Sequence, residues 1–477
     1  MNTLLIYDDT VKPEKIFYKT IKDQSFSQII YKKRNCQQWM FEQLDNFKFL
    51  SEKIILQDNI TFLNKYSQSK IIHIFSYVVI ADSGEFELLL SKLVYSNINV
   101  MVLEKNTPLL IYFSNMNAYK HYMNSYKSMT IHDLSQSLSI EKIENNCLYN
   151  ISEYQQFISF ISGGFDARFF NKISGSEYTV NKSSTDVEKI KKEYTYYHIL
   201  PENMKIWSVI PYNYVETETG ASYDMERLHI TDMAIRWIHN SVDINEFERF
   251  LNKAFHYLTT RNTKRIDKSK FSEQQNNLYV NKVVQRIEQL VSSREYSKIA
   301  QYVNAGSCFV DIETLIKRYL ELYHKIVTSK KIYPDLVIGH GDFCFSNILY
   351  DKSTEILKLI DPKGALNEEQ LWMDPYYDIA KISHSICGNY DYINNGLFSI
   401  QVNKDLNLEL SIDSVRREDF KQVFIEKLGE HGFDYKLTRL FEASLFISML
   451  PLHKDNLQKV LGLMLNANKI LDEVENG

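Results

Sequence analysis

The stretch Leu336-Val337-Ile338-Gly339-His340-Gly341-Asp342-Phe343-Cys344-Phe345-Ser346-Asn347-Ile348-Leu349-Tyr350-Asp351, followed by Leu357-Lys358-Leu359-Ile360-Asp361-Pro362, decides how the rest of the chain is read. A strand of Leu, Val and Ile ends at a His-Gly-Asp turn. Five residues after Asp342 comes Asn347, which opens a second short strand, and fourteen after Asn347 comes Asp361, which ends a third. Strand ends at this spacing bring one carboxylate, one carboxamide and a second carboxylate towards one point. Phosphoryl transfer uses that set: one carboxylate orients an acceptor hydroxyl and takes its proton, while hard oxygen ligands hold Mg²⁺ against nucleotide phosphates. His-Gly-Asp alone is a common turn, and an aspartate in a loop is more often structural than catalytic. The whole pattern, with Asn five residues on and Ile-Asp closing a β-run, is far more restrictive.

With those residues in place, the chain resembles the aminoglycoside phosphotransferase and choline kinase group, which shares the protein-kinase-like fold. The resemblance runs from about residue 155 to 475 and is strongest in the carboxyl-terminal motifs. It implies Asp342 as catalytic base and Asn347 and Asp361 as Mg²⁺ ligands. Asp378-Ile379-Ala380 matches the family's later Asp-Leu-Ala helix start, whose aspartate braces the catalytic loop. The family most often has an aromatic residue after the metal aspartate; this chain has Asp361-Pro362-Lys363-Gly364. Lys363 there either adds positive charge beside the transferring group, a catalytic role, or is an exposed loop lysine.

Upstream, the expected order of elements continues. Phe157–Ile161, Ala167–Ile173 and Glu177–Lys182 read as short β-runs separated by glycine-containing turns. Asp186 to Leu200 reads as a helix, with Val187, Ile190, Tyr194 and Tyr197 on one face. Lys182 ends a β-run and Glu193 follows eleven residues later on that helix. Such a pair locks a helix to a sheet while the ammonium neutralises nucleotide phosphates; Glu188 is the competing acid. Gly163-Gly164 falls where a phosphate-covering loop belongs, and it also suits a plain hairpin. Ile206–Pro211 and Ser222–Leu228 read as two further strands. Tyr223-Asp224-Met225-Glu226-Arg227-Leu228 resembles the family's inter-lobe hinge, which implies adenine binding through the Glu226 carbonyl and the Leu228 amide. Beyond Thr231 the pattern is helical to the end, interrupted by the β-rich Leu336–Ile360. A basic segment from Phe255 to Asn281, with Arg261, Lys264, Arg265, Lys268 and Lys270, reads as a solvated loop or as a lure for an anionic substrate.

The amino-terminal part is of another kind. Leu4–Tyr7, Gln28–Tyr31, Ile71–Ala81, Val100–Leu103 and Leu109–Phe113 are apolar runs, with helical spacing between them at Phe86–Val94. This predicts an α/β layer with a mainly parallel sheet. Asp82 follows a strand end, where a metal-holding aspartate would sit in a nucleotidyltransferase-like fold. The first strand, however, leads into Asp8-Asp9-Thr10 with no Gly-rich phosphate loop, so the expectation is an accessory or degenerate domain. The expected organisation is residues 1–145 as an α/β accessory domain. Residues 151–477 form an α+β kinase-like domain, with a small β-rich lobe at 151–228 and a large helical lobe at 229–477.

Composition narrows the function classes. With 477 residues the chain exceeds one hydrophobic core. Its 44% apolar and 24% charged residues are those of a globular protein. A net charge of −5 leaves no basic excess for a nucleic-acid face. The five cysteines, Cys36, Cys147, Cys308, Cys344 and Cys387, contain no CxxC pair, which argues against a disulfide framework or zinc ribbon and for a reducing cytoplasm. The run Ile71–Ala81 is 11 residues, short of the roughly 20 a bilayer span needs. The reading is therefore an ATP- and Mg²⁺-dependent transferase: a small-molecule kinase acting on a hydroxyl of a sugar, an amino alcohol or a surface-polysaccharide precursor. A pseudokinase or ligand-binding module, and a bifunctional kinase and nucleotidyltransferase, are the alternatives. Trp372, Tyr376, Tyr377 and His384 lie where family acceptors bind and equally suit a core.

Overall fold

The computed structural model describes the chain except residues 1–2, 32, 46, 48–49, 57–64, 127–128, 165–177, 305–310, 331, 405–406, 414–417 and 477. Two compact units divide it, Met1–Phe170 and Asn171–Gly477.

The first unit is built on a six-stranded sheet in the order Leu50–Leu56, Thr3–Asp8, Lys70–Phe75, Thr107–Phe113, Asn99–Glu104, Ile140–Glu144. The strand Thr3–Asp8 runs parallel to both neighbours, and Asn99–Glu104 runs parallel to Ile140–Glu144. Thr107–Phe113 is antiparallel to the strands on either side. The sheet is therefore mixed, with three of its five pairings parallel as expected, and the antiparallel part arises because only two residues separate Asn99–Glu104 from Thr107–Phe113 and a link that short can only make a hairpin. Asp82 caps the helix Ser83–Tyr95, accepting from the Gly84 and Glu85 amides at 2.9 and 3.0 Å. That accounts for its place at the strand end without a metal.

The boundary falls later than the expected 145–151. Leu148–Asn150 pairs with Val78–Ile80, and Tyr154 and Phe157 pack their rings against Phe17. The segment after the expected linker is thus tied into the first unit. Phe157–Ile161, expected as a strand, is helical: Tyr154–Ser159 continues into a wide turn over Phe160–Gly164. Gly163 and Gly164 lie in that helical turn, inside the first unit, and do not connect two strands. Ala167–Ile173 lies outside the described residues.

In the second unit, three antiparallel strands in the order Thr179–Ser184, Gly220–Glu226, Pro211–Thr217 carry the helix Val187–Ile199. Ile190, Ala221 and Tyr223 form their shared core. Ile206–Pro211 is mostly turn, and the strand begins at Pro211 instead. The large lobe packs helices around a continuous apolar core that runs from Tyr279 to Val474. Between its helices, besides the hairpin of Phe398–Val402 with Leu408–Ile412, sit two small sheets. One joins Thr263–Arg265, Asp335–Ile338 and Trp372–Met373; the other joins Ile348–Tyr350 and Leu357–Leu359. Among the described residues, no helix is long and apolar enough to cross a membrane.

Candidate active site

The His-Gly-Asp turn is held from below by one helix, Pro375–Ile386. Asp378, fully buried on its first turn, accepts from the His340 amide at 2.9 Å and the Gly341 amide at 2.8 Å. Arg261 neutralises it with a bond of 2.7 Å. Two amides and a guanidinium satisfy this carboxylate, as a buried charge requires. Asp378 is the loop brace that the resemblance implies. Arg261, from the segment read as a basic loop, is its buried partner. Arg265 of the same segment pairs with Asp335 on the surface, and Lys264 lies over the Trp372 ring. Of the segment's basic residues Arg261 is thus structural, whereas Lys264, Arg265, Lys268 and Lys270 are exposed, as the solvated reading expects.

Gly341 adopts φ +77°, and a Cβ there would stand 2.6 Å from the Lys363 Cβ. Only glycine fits such a turn with a neighbour so near. His340 is buried and accepts from the Asp342 amide through Nδ1 at 3.3 Å, while Nε2 donates to the Ile360 carbonyl at 3.0 Å. Burial lowers its pKa against the pull of Asp378 and Asp342, which keeps the ring neutral. One imidazole therefore ties the His-Gly-Asp turn to the residue before Asp361.

Asp342 is half-buried, and both its carboxylate oxygens are engaged. Oδ2 accepts from Asn347 Nδ2 at 2.9 Å, and Oδ1 lies 2.8 Å from Lys381 Nζ. Burial alone would raise the Asp342 pKa; Lys381 outweighs it, and the carboxyl is held below the ordinary aspartate value. Asn347 Nδ2 also donates to the Asp342 carbonyl at 2.9 Å, which turns the amide oxygen away from the loop. Lys381 was missed in the sequence. Its signal is spacing alone: it stands three residues after Asp378, on the same face of the bracing helix, so the element that clamps the loop backbone also presents a cation to the loop's carboxylate.

On the other wall, Lys182 Nζ lies 2.6 Å from Glu193 Oε2 and 2.7 Å from Asp361 Oδ1. Burial works against the ammonium, but Asp361 and Glu193 overcome it and raise the Lys182 pKa. Glu193 is buried and also accepts from the Tyr223 hydroxyl at 3.3 Å. The competing acid, Glu188, pairs at the surface with Lys192. Asp361 adopts φ +55°, a left-handed conformation rare for a non-glycine residue and characteristic of functional positions. The next turn is pinned to the helix: the Ala365 amide donates to the Lys192 carbonyl at 3.0 Å. Lys363 is exposed; its amide donates to the His340 carbonyl at 2.9 Å, and its stem covers Gly341.

A small cavity of about 30 Å³ opens beside these groups, lined by Glu193, Val209, Tyr223, Met225, Leu359 and Asp361 among others. At its rim the Glu226 amide donates to the Ile210 carbonyl and the Arg227 amide to the Tyr178 carbonyl. Among the described residues, no backbone carbonyl accepts from the Leu228 amide. The structure thus brings Lys182, Glu193, Asp342, Asn347 and Asp361 together, places Glu226, Leu228 and Lys363 at the margin, and leaves Gly163 and Gly164 in the other unit. Of the four residues flagged as acceptor contacts or core, Tyr376 packs on Phe433 and Phe441, and His384 stacks on Tyr390.

Solved structures include similar chains. One is an aminoglycoside phosphotransferase, APH(3'')-Id, from Streptomyces rimosus in complex with ADP and streptomycin. It is 14% identical, with a TM-score of 0.30, over 58% of this chain and 87% of that one. Another is an aminoglycoside-3'-phosphotransferase of type VIII, 12% identical with a TM-score of 0.33, over 57% of this chain and 84% of that one. No protein-family model and no curated protein matches the sequence.

Proposed function

We propose that this protein is an ATP- and Mg²⁺-dependent phosphotransferase that phosphorylates a hydroxyl of a small molecule. The observation that carries the reading is the pair of charge relays converging from opposite walls: Glu193–Lys182–Asp361 and Lys381–Asp342–Asn347. One wall supplies a buried-stemmed cation and a carboxylate suited to a metal-bound polyphosphate. The other supplies an ionised carboxylate suited to a hydroxyl.

The donor set fits Mg²⁺ carried by a nucleotide and no free-standing metal centre. Among the described residues, no group of three His, Cys, Asp or Glu is placed to hold an ion. Mg²⁺ keeps several waters and takes one or two protein oxygens plus phosphate oxygens. Asp361 and the outward-turned amide oxygen of Asn347 match that need. The ion, when bound, neutralises charge on the phosphates. Lys182 would bind the same phosphates once Asp361 turns to the metal, and Glu193 would keep it pointed into the cleft. Adenine would lie at the mouth of the small cavity beside Val209 and Met225, with its edge on the Glu226 carbonyl and Leu228 amide. Asp342 would accept the acceptor's hydroxyl proton, with Asn347 holding the carboxylate in register.

The test is a screen for acceptor-dependent ATP consumption over sugars, amino alcohols, hydroxy acids and aminoglycosides, with the wild type and Asp342→Asn in parallel. Acceptor-dependent ADP release by the wild type alone supports the reading. Tight Mg·ATP binding with no turnover on any acceptor would favour a pseudokinase, and nucleotide binding indifferent to EDTA would remove the metal from the site.

A further inference from the structure

The acceptor wall carries more positive charge than phosphoryl transfer requires. Tyr377 and Lys381 stand four residues apart on the bracing helix and therefore share a face. Lys282, at the start of the helix Lys282–Val291, reaches that face and donates to the Tyr377 hydroxyl at 2.9 Å. Lys363 lies over Gly341, one residue from Asp342. Lys282, Lys363 and Lys381 all act electrostatically on the buried Tyr377; burial would raise its pKa, yet the three ammoniums bring it below the ordinary tyrosine value. Against three ammoniums stands one carboxylate, Asp342, already bound to Lys381. Among the described residues, neither Lys282 nor Lys363 belongs to an ion pair. Other carboxylates are engaged: Asp361, two residues from Lys363, holds Lys182, Asp374 caps the helix and accepts from Gln275 at 2.6 Å, and Asp378 holds Arg261.

These groups do not serve the nucleotide cavity, whose lining includes none of Lys282, Tyr377 and Lys381. Holding the partly buried Lys282, with no carboxylate of its own among the described residues, near Lys381 costs free energy, and a bound anion removes that cost. We propose that Lys282, Tyr377 and Lys381, with Lys363 at the border to the nucleotide, form the acceptor subsite, and that it takes a hydroxyl compound bearing its own carboxylate or phosphate, such as a sugar acid or a sugar phosphate. The proposal rests on the phosphotransferase reading and adds the acceptor's charge to it. In the transfer, the acceptor hydroxyl gives its proton to Asp342 and its oxygen bonds to the γ-phosphorus. The bond from that phosphorus to the bridging oxygen breaks, and ADP leaves with the electron pair. Meanwhile the acceptor's own anion stays on Lys282 and Tyr377. Cationic acceptors are repelled by the same lysines.

Two measurements test this. First, inorganic phosphate is titrated by calorimetry into protein saturated with Mg·ADP, so that the nucleotide phosphates occupy their own site. The wild type should bind it, Lys282→Met should bind it at least tenfold more weakly, and Lys282→Arg should restore it. Equal binding by wild type and Lys282→Met overturns the proposal, whether or not any acceptor is turned over. Second, ATP consumption is compared on matched acceptors, glycerol against glyceric acid and glucose against glucuronic acid and glucose 6-phosphate. The anionic member should have the higher kcat/KM, and Lys282→Met should collapse that preference through the acceptor KM with the ATP KM unchanged. A preference for the neutral member, or for an amino alcohol, also overturns it. Failure of Mg·ATP to bind would remove the phosphotransferase reading instead, while the phosphate titration, repeated without nucleotide, would still report on the lysines. Thermal melts establish that each variant is folded.

Discussion

Asp342 is where charge and geometry meet most tightly. Replacing it with Ala should lower kcat by about 10²–10⁴, the usual contribution of a positioned base, and leave Mg·ATP affinity within a few-fold. Steady-state kinetics beside nucleotide titration separates the two. Lys381 gives a second prediction through pH. It keeps the Asp342 carboxyl below the ordinary range against the opposing effect of burial. In Lys381→Met the lysine's effect goes and burial remains, so the acidic limb of the kcat/KM profile should move to higher pH. A profile that keeps its acidic limb would show that the two charges do not interact. At this scale much was legible in the sequence. Asp342, Asn347, Asp361, Lys182 and Glu193 fall at spacings that strand and helix periods make meaningful. Lys381 and Tyr223 were not legible, because nothing in a helix or strand pattern says which neighbour across a cleft a side chain will meet.

Elements couple these residues into units that should respond together. Asn347 and Asp361 are joined through the hydrogen bond from the Ile360 amide to the Asn347 carbonyl at 3.1 Å. If they serve one ion, Asp361→Ala should weaken Mg·ATP binding and lower the rate, and adding Asn347→Ala should cost little more. Fully additive losses in a double-mutant cycle would mean two separate functions. The bracing helix predicts a stability effect. Asp378→Ala strands the buried Arg261 and leaves two loop amides without their acceptor, so urea unfolding should show a loss of about 3–5 kcal/mol. Helices such as Val187–Ile199 are readable from their apolar period, and the strands Thr179–Ser184 and Gly220–Glu226 nearly so. Phe157–Ile161 was misread because a short apolar run has no period of its own; contacts of Tyr154 and Phe157 with Phe17 decide it, and those lie far off in sequence.

For the whole molecule, the division after Phe170 has a direct consequence. Every group assigned to the nucleotide, from Lys182 to Asp361, belongs to the second unit. A chain beginning at Asn171 should therefore bind Mg·ATP with wild-type affinity, measurable by calorimetry. Loss of binding would show that the first unit contributes to the site. Solution pH should also act on the second unit as a whole. Burial pushes the carboxyls of Asp232 and Asp391 up to about 7 and that of Asp374 up to about 6. A carboxyl whose folded pKa lies above its unfolded value binds more protons in the folded state, so stability falls as pH rises through that window. Asp391→Asn should accordingly raise the melting temperature by several degrees at pH 8 and change it little at pH 4. An equal shift at both pH values would mean that the Asp391 charge is not what destabilises the fold. The extent of the first unit could not be read from composition. The polar stretch near residue 145 looked like a linker, whereas the short strand Leu148–Asn150 closes back onto Val78–Ile80.

The turn after Asp361 lies directly on the Glu193 helix. Gly364 comes so close that a Cβ would stand 2.6 Å from the Lys192 carbonyl carbon and 2.7 Å from the Glu193 amide nitrogen. Main chain touches main chain, with no side chain between them to slide or rotate. An acid on a helix that can swing outward gives a phosphotransferase a built-in off position. Here that movement would have to tear the Asp361 turn away with the helix. As the proposed phosphotransferase, the protein would find that idle position costly to reach. Its output would follow the supply of its two substrates, and a compound designed to wedge behind a displaced helix would find no vacancy to occupy.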